Sequence, residues 1–349
     1  MRIAQVAPLF EAVPPKLYGG TERVVSWLTE ELVRQGHEVT LFASGDSQTS
    51  ARLVPCAPQA LRLSGVRDPL APHVLMVERV LQMAHEFDII HFHIDYLHLP
   101  LMRRMKKPYL TTLHGRLDLP EMFPFYKEFR EAPFVSISYA QRRPLPFLNW
   151  VGTVYHGLPR DLYRPSYTPG KYLAFLGRIS PEKRPDRAIE LAERVGIKLL
   201  MAAKVDRADQ DYFKEVIKPR LRSPWVEFVG EINDGEKQEF LAGALALLML
   251  IDWPEPFGLV MIEANACGTP VIAWRCGSVP EIIEPGRNGF IVESMEEAER
   301  AVAEIERISR RQCRRVFEER FTAERMARDY LALYARLAYE EVPLWRKAA

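Results

Sequence analysis

The chain has 349 residues, 47 Lys and Arg against 46 Asp and Glu, and a formal net charge of +1, with 48% hydrophobic and 27% charged residues. That is the profile of an ordinary globular protein with room for two domains of ~150 residues, and its near-zero charge removes the electrostatic case for nucleic acid as main partner. No apolar run approaches the ~20 residues of a membrane-spanning helix, and the four cysteines (Cys56, Cys267, Cys276, Cys313) have no CxxC spacing, so neither a zinc site nor a disulfide framework is expected.

The opening stretch, Arg2 to Pro8, reads as a buried strand rather than a cleavable leader. A Pro-rich loop follows and ends in Tyr18-Gly19-Gly20. Thr21 is a suitable helix N-cap, Val24, Val25, Leu28, Leu32 and Val33 repeat with helical spacing, and Gly36 stops the helix. His37 to Ala43 is the next strand. Strand–helix–strand order needs a crossover, so the sheet is expected to be parallel. Further strands are predicted at 88–93, 109–113, 134–138 and 151–155, with helical or polar stretches at 73–86 and 96–106. Residues 157–170 mix Pro, Gly, Arg and Tyr without periodicity and read as a linker.

The alternation then restarts. Strands are predicted at 171–177, 197–201, 226–229, 244–250 and 270–273, with helices at 181–195, near 208–221 and 234–243, and from Gly258 to Cys267. Residues 294–341 are almost wholly helical, and the last helix carries an apolar stripe through Tyr330, Leu333, Tyr334 and Leu337. The fold class is therefore α/β, with two successive Rossmann-like parallel-sheet halves. The expected domains are 1–160 and 161–325, with 326–349 a helix crossing back to the first. Ligands of such sheets sit beyond the carboxyl ends of the strands, so a cleft between the domains is where chemistry is expected.

Several chemistries are missing from the sequence. There is no GxGxxG after a strand, no GxxxxGK[ST], no GxSxG and no HExxH. The strongest positive segment runs from Trp253 to Ala273. A strand ends near Leu250, a Pro-bounded turn carries Glu255, and a helix opens at Gly258, where free N–H groups and the helix dipole suit a phosphate. Glu263, separated from Glu255 by seven residues and on the face of Leu259 and Val260, suits the vicinal hydroxyls of a ribose, and Glu255 a second polyol. The plainer alternative is that both acids only favour a helix start. The second segment runs from Phe175 to Asp186. Arg178 directly after a strand and Lys183 at the start of the next helix suit a diphosphate, while Arg184 is a third cation that points to solvent.

Glu255-x7-Glu263, Gly268-Thr-Pro-Val-Ile272, Pro280-Glu-Ile-Ile283, Gly177-Arg178 with Lys183, and Gly19-Gly20 before the first helix together resemble the retaining glycosyltransferases of family four. The resemblance covers almost the whole chain. It implies the GT-B fold and transfer of a hexose from a nucleotide-sugar donor, UDP-glucose ahead of GDP-mannose, with retention and with no bound metal or other cofactor. It also implies that Arg178 and Lys183 hold the diphosphate, Glu263 the ribose, and Glu255 the transferred sugar. Backbone at Phe257, Gly258, Leu259 and Val260 lies near sugar and phosphate, and the segment around Ile232 (Gly230 to Asp234) meets the base. Gly19 and Gly20 let the N-terminal loop approach the diphosphate, with Gly20 supplying positive φ.

His114 matches the family histidine beside the donor sugar, so the catalytic set is Glu255, His114, Arg178 and Lys183. His91 and His93 are taken to alternate across their strand, which argues against a metal pair and favours His93 as the ligand-facing ring. The acceptor belongs to the N-terminal half, with Tyr18, His93, Asp95 and Asp118 as candidates. Arg103, Arg104, Lys106, Lys107, Arg142 and Arg143 form a basic set for peripheral contact with an anionic membrane, against a solvated helix face. The expected location is the cytoplasm, or the inner face of its membrane, and the acceptor a lipid or glycan. Two departures from the family pattern stand out: Asp252-Trp253-Pro254 before the first glutamate and Cys276-Gly277-Ser278-Val279 before Pro280-Glu281. The alternatives are a non-catalytic nucleotide-sugar-binding protein and a GT-B epimerase or phosphorylase.

Overall fold

The computed structural model describes residues 1–16 and 19–340. They fall into two compact units, one comprising Met1–Pro159 and the chain from Ala323 onward, the other Arg160–Thr322. Tyr18 lies outside the described residues.

The first unit is built on β1 (Arg2–Val6), α1 (Gly20–Arg34), β2 (Glu38–Ser44), β3 (Arg52–Ala57), α2 (Leu70–Gln82), β4 (Ile89–Phe92), α3 (Leu99–Met102), β5 (Tyr109–Thr112), α4 (Met122–Glu128), β6 (Phe134–Ser136) and β7 (Trp150–Thr153). Its seven strands run in the order β3-β2-β1-β4-β5-β6-β7, and every pairing is parallel. Helices cover the sheet, so the strands read as nearly continuous apolar runs. Ile3, Leu41, Phe42, Ile90, Phe92, Leu110 and Phe134 are fully buried. α1 begins at Gly20 with Gly19 as its cap and has no side-chain cap bond, so Thr21 sits inside the first turn rather than at the N-cap.

The second unit holds β8 (Tyr172–Arg178), α5 (Pro185–Val195), β9 (Leu199–Lys204), α6 (Gln210–Tyr212), β10 (Val226–Gly230), α7 (Asp234–Ala242), β11 (Ala244–Met249), α8 (Leu259–Ala266), β12 (Val271–Trp274), α9 (Val279–Ile282), β13 (Gly289–Val292), α10 (Met295–Ala303) and α11 (Arg310–Arg320). The helix expected at 208–221 is broken, with α6 running into a π turn and a 3₁₀ turn. The sheet order is β10-β9-β8-β11-β12-β13, again all parallel. α12 (Ala323–Ala335) returns to the first unit, where Tyr330 and Tyr334 are fully buried.

In each sheet the strand order reverses once, between β1 and β4 and between β8 and β11. These switch points leave a crevice at the carboxyl ends of the strands, where ligands of open α/β sheets bind. The candidate residues must be judged against those two places.

Candidate active site

At the β8/β11 switch the chain leaves β8 at Arg178, makes a 3₁₀ turn over Pro181–Lys183, and enters α5 only after Arg184, which takes a left-handed backbone (φ 49°). Lys183 thus ends the 3₁₀ turn two residues before α5 instead of opening the helix. Its ammonium ion-pairs with the Glu255 carboxylate, which arrives on the loop after β11. The Trp253 indole N–H donates to the same Glu255 oxygen at 3.1 Å, and the Lys183 Nζ lies 5.2 Å from the Trp253 ring centroid. The departure from the family pattern at Trp253 therefore has a local use, because it clamps the acid and faces the cation.

Arg178 is the other cation expected to suit a diphosphate. It is 33% exposed and faces Glu182 at 3.3 Å, Asp209 at 3.6 Å and Asp206 at 3.7 Å. Both cations are thus held by carboxylates. Arg184 does not point freely to solvent, since it pairs with Asp186 at 2.7 Å and Asp252 at 3.0 Å.

Beyond Glu255 the chain turns at Gly258 (φ 80°), and α8 starts without a side-chain cap. Leu259 and Val260 are half-buried and Phe257 is buried. The loop is fixed from the side by the 276–278 turn: Ser278 N donates to Glu255 O (3.0 Å) and Ser278 Oγ to Phe257 O (2.7 Å). Gly277 (φ 54°) passes so close that a Cβ there would lie 2.5 Å from the Glu255 carbonyl oxygen. Sequence pattern alone left this turn half specified; the backbone crowding identifies its glycine.

Glu263, 2% exposed, lies in the second turn of α8. It accepts from Lys237 Nζ on α7 at 2.9 Å and from the Tyr163 hydroxyl at 3.4 Å, both on Oε1. Neither partner was found from sequence. Lys237 lies on a helix of weak apolar pattern, and Tyr163 lies in the stretch read as linker, whose first half is fastened by Arg314, which donates to the Arg160 and Tyr163 carbonyls. Ile232 is half-buried, in the turn between Gly230 (φ 82°) and the Asn233 capping box that starts α7.

In the first unit, the β1/β4 switch gathers Gly19, His93 and Asp95, with His114 just past β5. The positive φ is at Gly19 (152°), where a Cβ would meet Pro15 Cβ at 2.8 Å, whereas Gly20 is helical; the role expected of Gly20 passes to its neighbour. His91 and His93 do not alternate, because residues two apart share a strand face. Their ring centroids are 3.9 Å apart. His93 Nδ1 meets His114 Nε2 at 2.8 Å, and the His114 ring stacks on His156 at 5.4 Å. Burial pushes the His114 pKa down to about 3 and those of His91, His93 and His156 well below the ordinary value.

Asp95 takes a left-handed backbone (φ 56°) in a recess: surrounding protein raises its carboxyl pKa while its surface stays open. Asp118 is exposed and paired with Arg116 at 2.8 Å, which lowers its pKa. In the basic set, Arg103 is paired with Glu128 and Glu131 and lies over Phe129, and Arg142 lies over Tyr139 and Trp150. Those two are not part of a free cationic face.

Comparison with known proteins decides the family. Residues 18–154 match the model described as glycosyltransferase family 4, and residues 164–324 that of glycosyl transferases group 1. The chain belongs to the family 4-type glycosyltransferases of the GT-B superfamily. The transferase is 25% identical over 334 residues to the D-inositol 3-phosphate glycosyltransferase of Mycolicibacterium smegmatis, covering 79% of this chain and 75% of that one. Its fold matches AviGT4, a glycosyltransferase involved in avilamycin A biosynthesis, with a TM-score of 0.77 and 24% identity over 98% of this chain and 99% of that one. It also matches Anabaena HepE in complex with UDP-glucose, with a TM-score of 0.74 and 19% identity over 97% of this chain and all of that one. Two parallel-sheet α/β units on one chain are the GT-B architecture.

Proposed function

We propose that this glycosyltransferase is retaining and metal-independent, and that it moves a hexose from a nucleotide-sugar donor, UDP-glucose ahead of GDP-mannose. The observation that carries the reading is the convergence of Arg178, Lys183, Glu255 and the uncapped start of α8 at the β8/β11 switch, with Glu263 one turn behind. HepE, a fold neighbour, was solved with UDP-glucose, which favours uracil over guanine.

In this reading the two cations and the amides at Leu259 and Val260 take the donor diphosphate, with Lys183 releasing Glu255 to the transferred sugar. Breaking the anomeric bond puts further negative charge on the departing diphosphate, and fixed donors aimed there lower the barrier. Glu263 binds the ribose and Glu255 the transferred sugar, while Ile232 lies against the base. From the first unit, Gly19 and Gly20 approach the diphosphate, and His114 meets the sugar as a neutral ring. Retention follows front-face attack, with a donor phosphate oxygen accepting the acceptor's proton. Glu255, already clamped by Lys183 and Trp253, acts in binding and electrostatics and not as a nucleophile. The acceptor is a lipid or glycan read by the first unit near His93, Asp95 and Asp118, and the enzyme works in the cytoplasm or at the inner face of its membrane; no helix of the described residues is long and apolar enough to cross one.

The test is a panel of UDP- and GDP-sugars scored for nucleoside diphosphate release, with and without EDTA. Release from UDP-glucose, undiminished by EDTA, is expected. Binding without release would make the protein a sensor, and loss of release with EDTA would contradict metal independence.

A further inference from the structure

Beneath His114 lies a buried chain of hydrogen bonds that the transfer scheme above does not use. His114 Nε2 meets His93 Nδ1 at 2.8 Å, and His93 Nε2 meets the Gln5 side-chain oxygen at 2.8 Å. On its other side the Gln5 amide nitrogen donates to the Tyr334 hydroxyl at 2.9 Å, which lies 2.7 Å from His91 Nδ1. His91 Nε2 continues to Thr112 Oγ1 at 2.7 Å, and Thr112 to the Tyr330 hydroxyl at 2.9 Å. Gln5 and His91 are register partners on β1 and β4, and α12 supplies both tyrosines.

The chain has a direction. A carboxamide has one end that only accepts and one that only donates. With its oxygen on His93 Nε2, that nitrogen carries the proton. A neutral imidazole has one N–H, so His93 Nδ1 accepts and His114 Nε2 donates. Tyr334 has a single hydroxyl proton and accepts from Gln5, so it donates to His91 Nδ1, and His91 Nε2 donates to Thr112. Every link from His114 to Thr112 runs the same way, and burial keeps the rings neutral. What remains is His114 Nδ1, a bare acceptor with no hydrogen bond of its own among the described residues.

Resting on the transferase reading, we propose that Gln5 and Tyr334 are positioning residues that hold His114 in its Nε2–H form, so that Nδ1 accepts a hydrogen bond from a hydroxyl of the transferred sugar. The returning helix α12 is thereby part of the donor-sugar site through its hydroxyl groups. A polyol with a hydroxyl at that place is the ligand class selected, and a deoxy analogue is selected against.

The test is long-range proton–nitrogen correlation spectroscopy of the protein labelled with ¹⁵N-histidine, for wild type and Tyr334→Phe. In wild type, His91, His93 and His114 are all expected as Nε2–H. In Tyr334→Phe, Gln5 loses its acceptor and His91 its donor, so the His114 signals become those of a tautomer mixture. Its kcat with the sugar nucleotide falls about tenfold while the donor KM stays within about twofold, the pattern of an interaction that matters in the transition state. A proton on Nδ1 of wild-type His114 would overturn the proposal, as would wild-type tautomers and kcat in Tyr334→Phe. The wild-type spectrum needs neither a folded variant nor turnover. An Nε2–H His114 in a protein that releases no nucleoside diphosphate therefore counts against the transferase reading and not against the one-way chain.

Discussion

Gly277 illustrates how one backbone angle sets the position of a candidate site acid, Glu255. Its φ of 54° is left-handed, which costs a residue with a Cβ roughly 1–2 kcal/mol. A Cβ would also lie 2.7 Å from the Pro254 carbonyl carbon, directly under the Glu255 peptide. Gly277→Ala must therefore push the Trp253–Phe257 loop outward and loosen the Lys183–Glu255 pair. Since a misplacement of ~1 Å costs up to ~10² in rate, turnover is expected to fall at least ~tenfold, with a melting temperature lowered by a few degrees. Wild-type turnover and melting temperature in Gly277→Ala would show that the turn does not position Glu255. Trp253 makes the same point from the other side, holding Glu255 from within a sequence that departs from the family pattern.

At the level of elements, most of the fold was legible because the strands of a covered parallel sheet are buried on both faces and announce themselves as apolar runs. The strands missed were edges. β3 carries Pro55, which a run of residues tolerates only where one side of the strand is unpaired, and β13 is four residues long at the opposite extreme of the second sheet. The site was legible where a motif fixes the backbone, as with Glu255 and Glu263, both of which lie at the β8/β11 switch. It was not legible where the partner comes from a distant element. Lys237 on α7 and Tyr163 in the connecting stretch reach Glu263 across 26 and 100 residues, and no local pattern encodes such pairing. The ion pairing of Arg178 with Asp206 and Asp209 was hidden for the same reason, and the His91–His93 reading failed on strand periodicity itself.

Across the whole molecule, the eight histidines all lie between residues 37 and 156, so histidine protonation acts on the first unit alone. His98 and His114 are held near pKa 3 by burial, against an ordinary value of 6.5. Their folded pKa values are depressed, so the stability they contribute is fully present above about pH 6.5 and is lost as pH falls from there toward 3. The fully buried His98 ring weakens its unit by up to ~1.4 kcal/mol per pH unit in that window, and the partly exposed His114 ring by less. Hydrogen exchange, corrected for the intrinsic rate, is expected to show β4 and β5 losing protection before β11 and β12 as pH falls below 6.5. Equal loss in both units would contradict this. The account as a whole stands on the cationic grip that the second unit offers a leaving diphosphate, and the turnover number of Lys183→Ala with the preferred sugar nucleotide probes it most directly. Loss of at least ~10²-fold, in a variant that retains its cooperative melt, is the predicted result, and turnover close to wild type would contradict it.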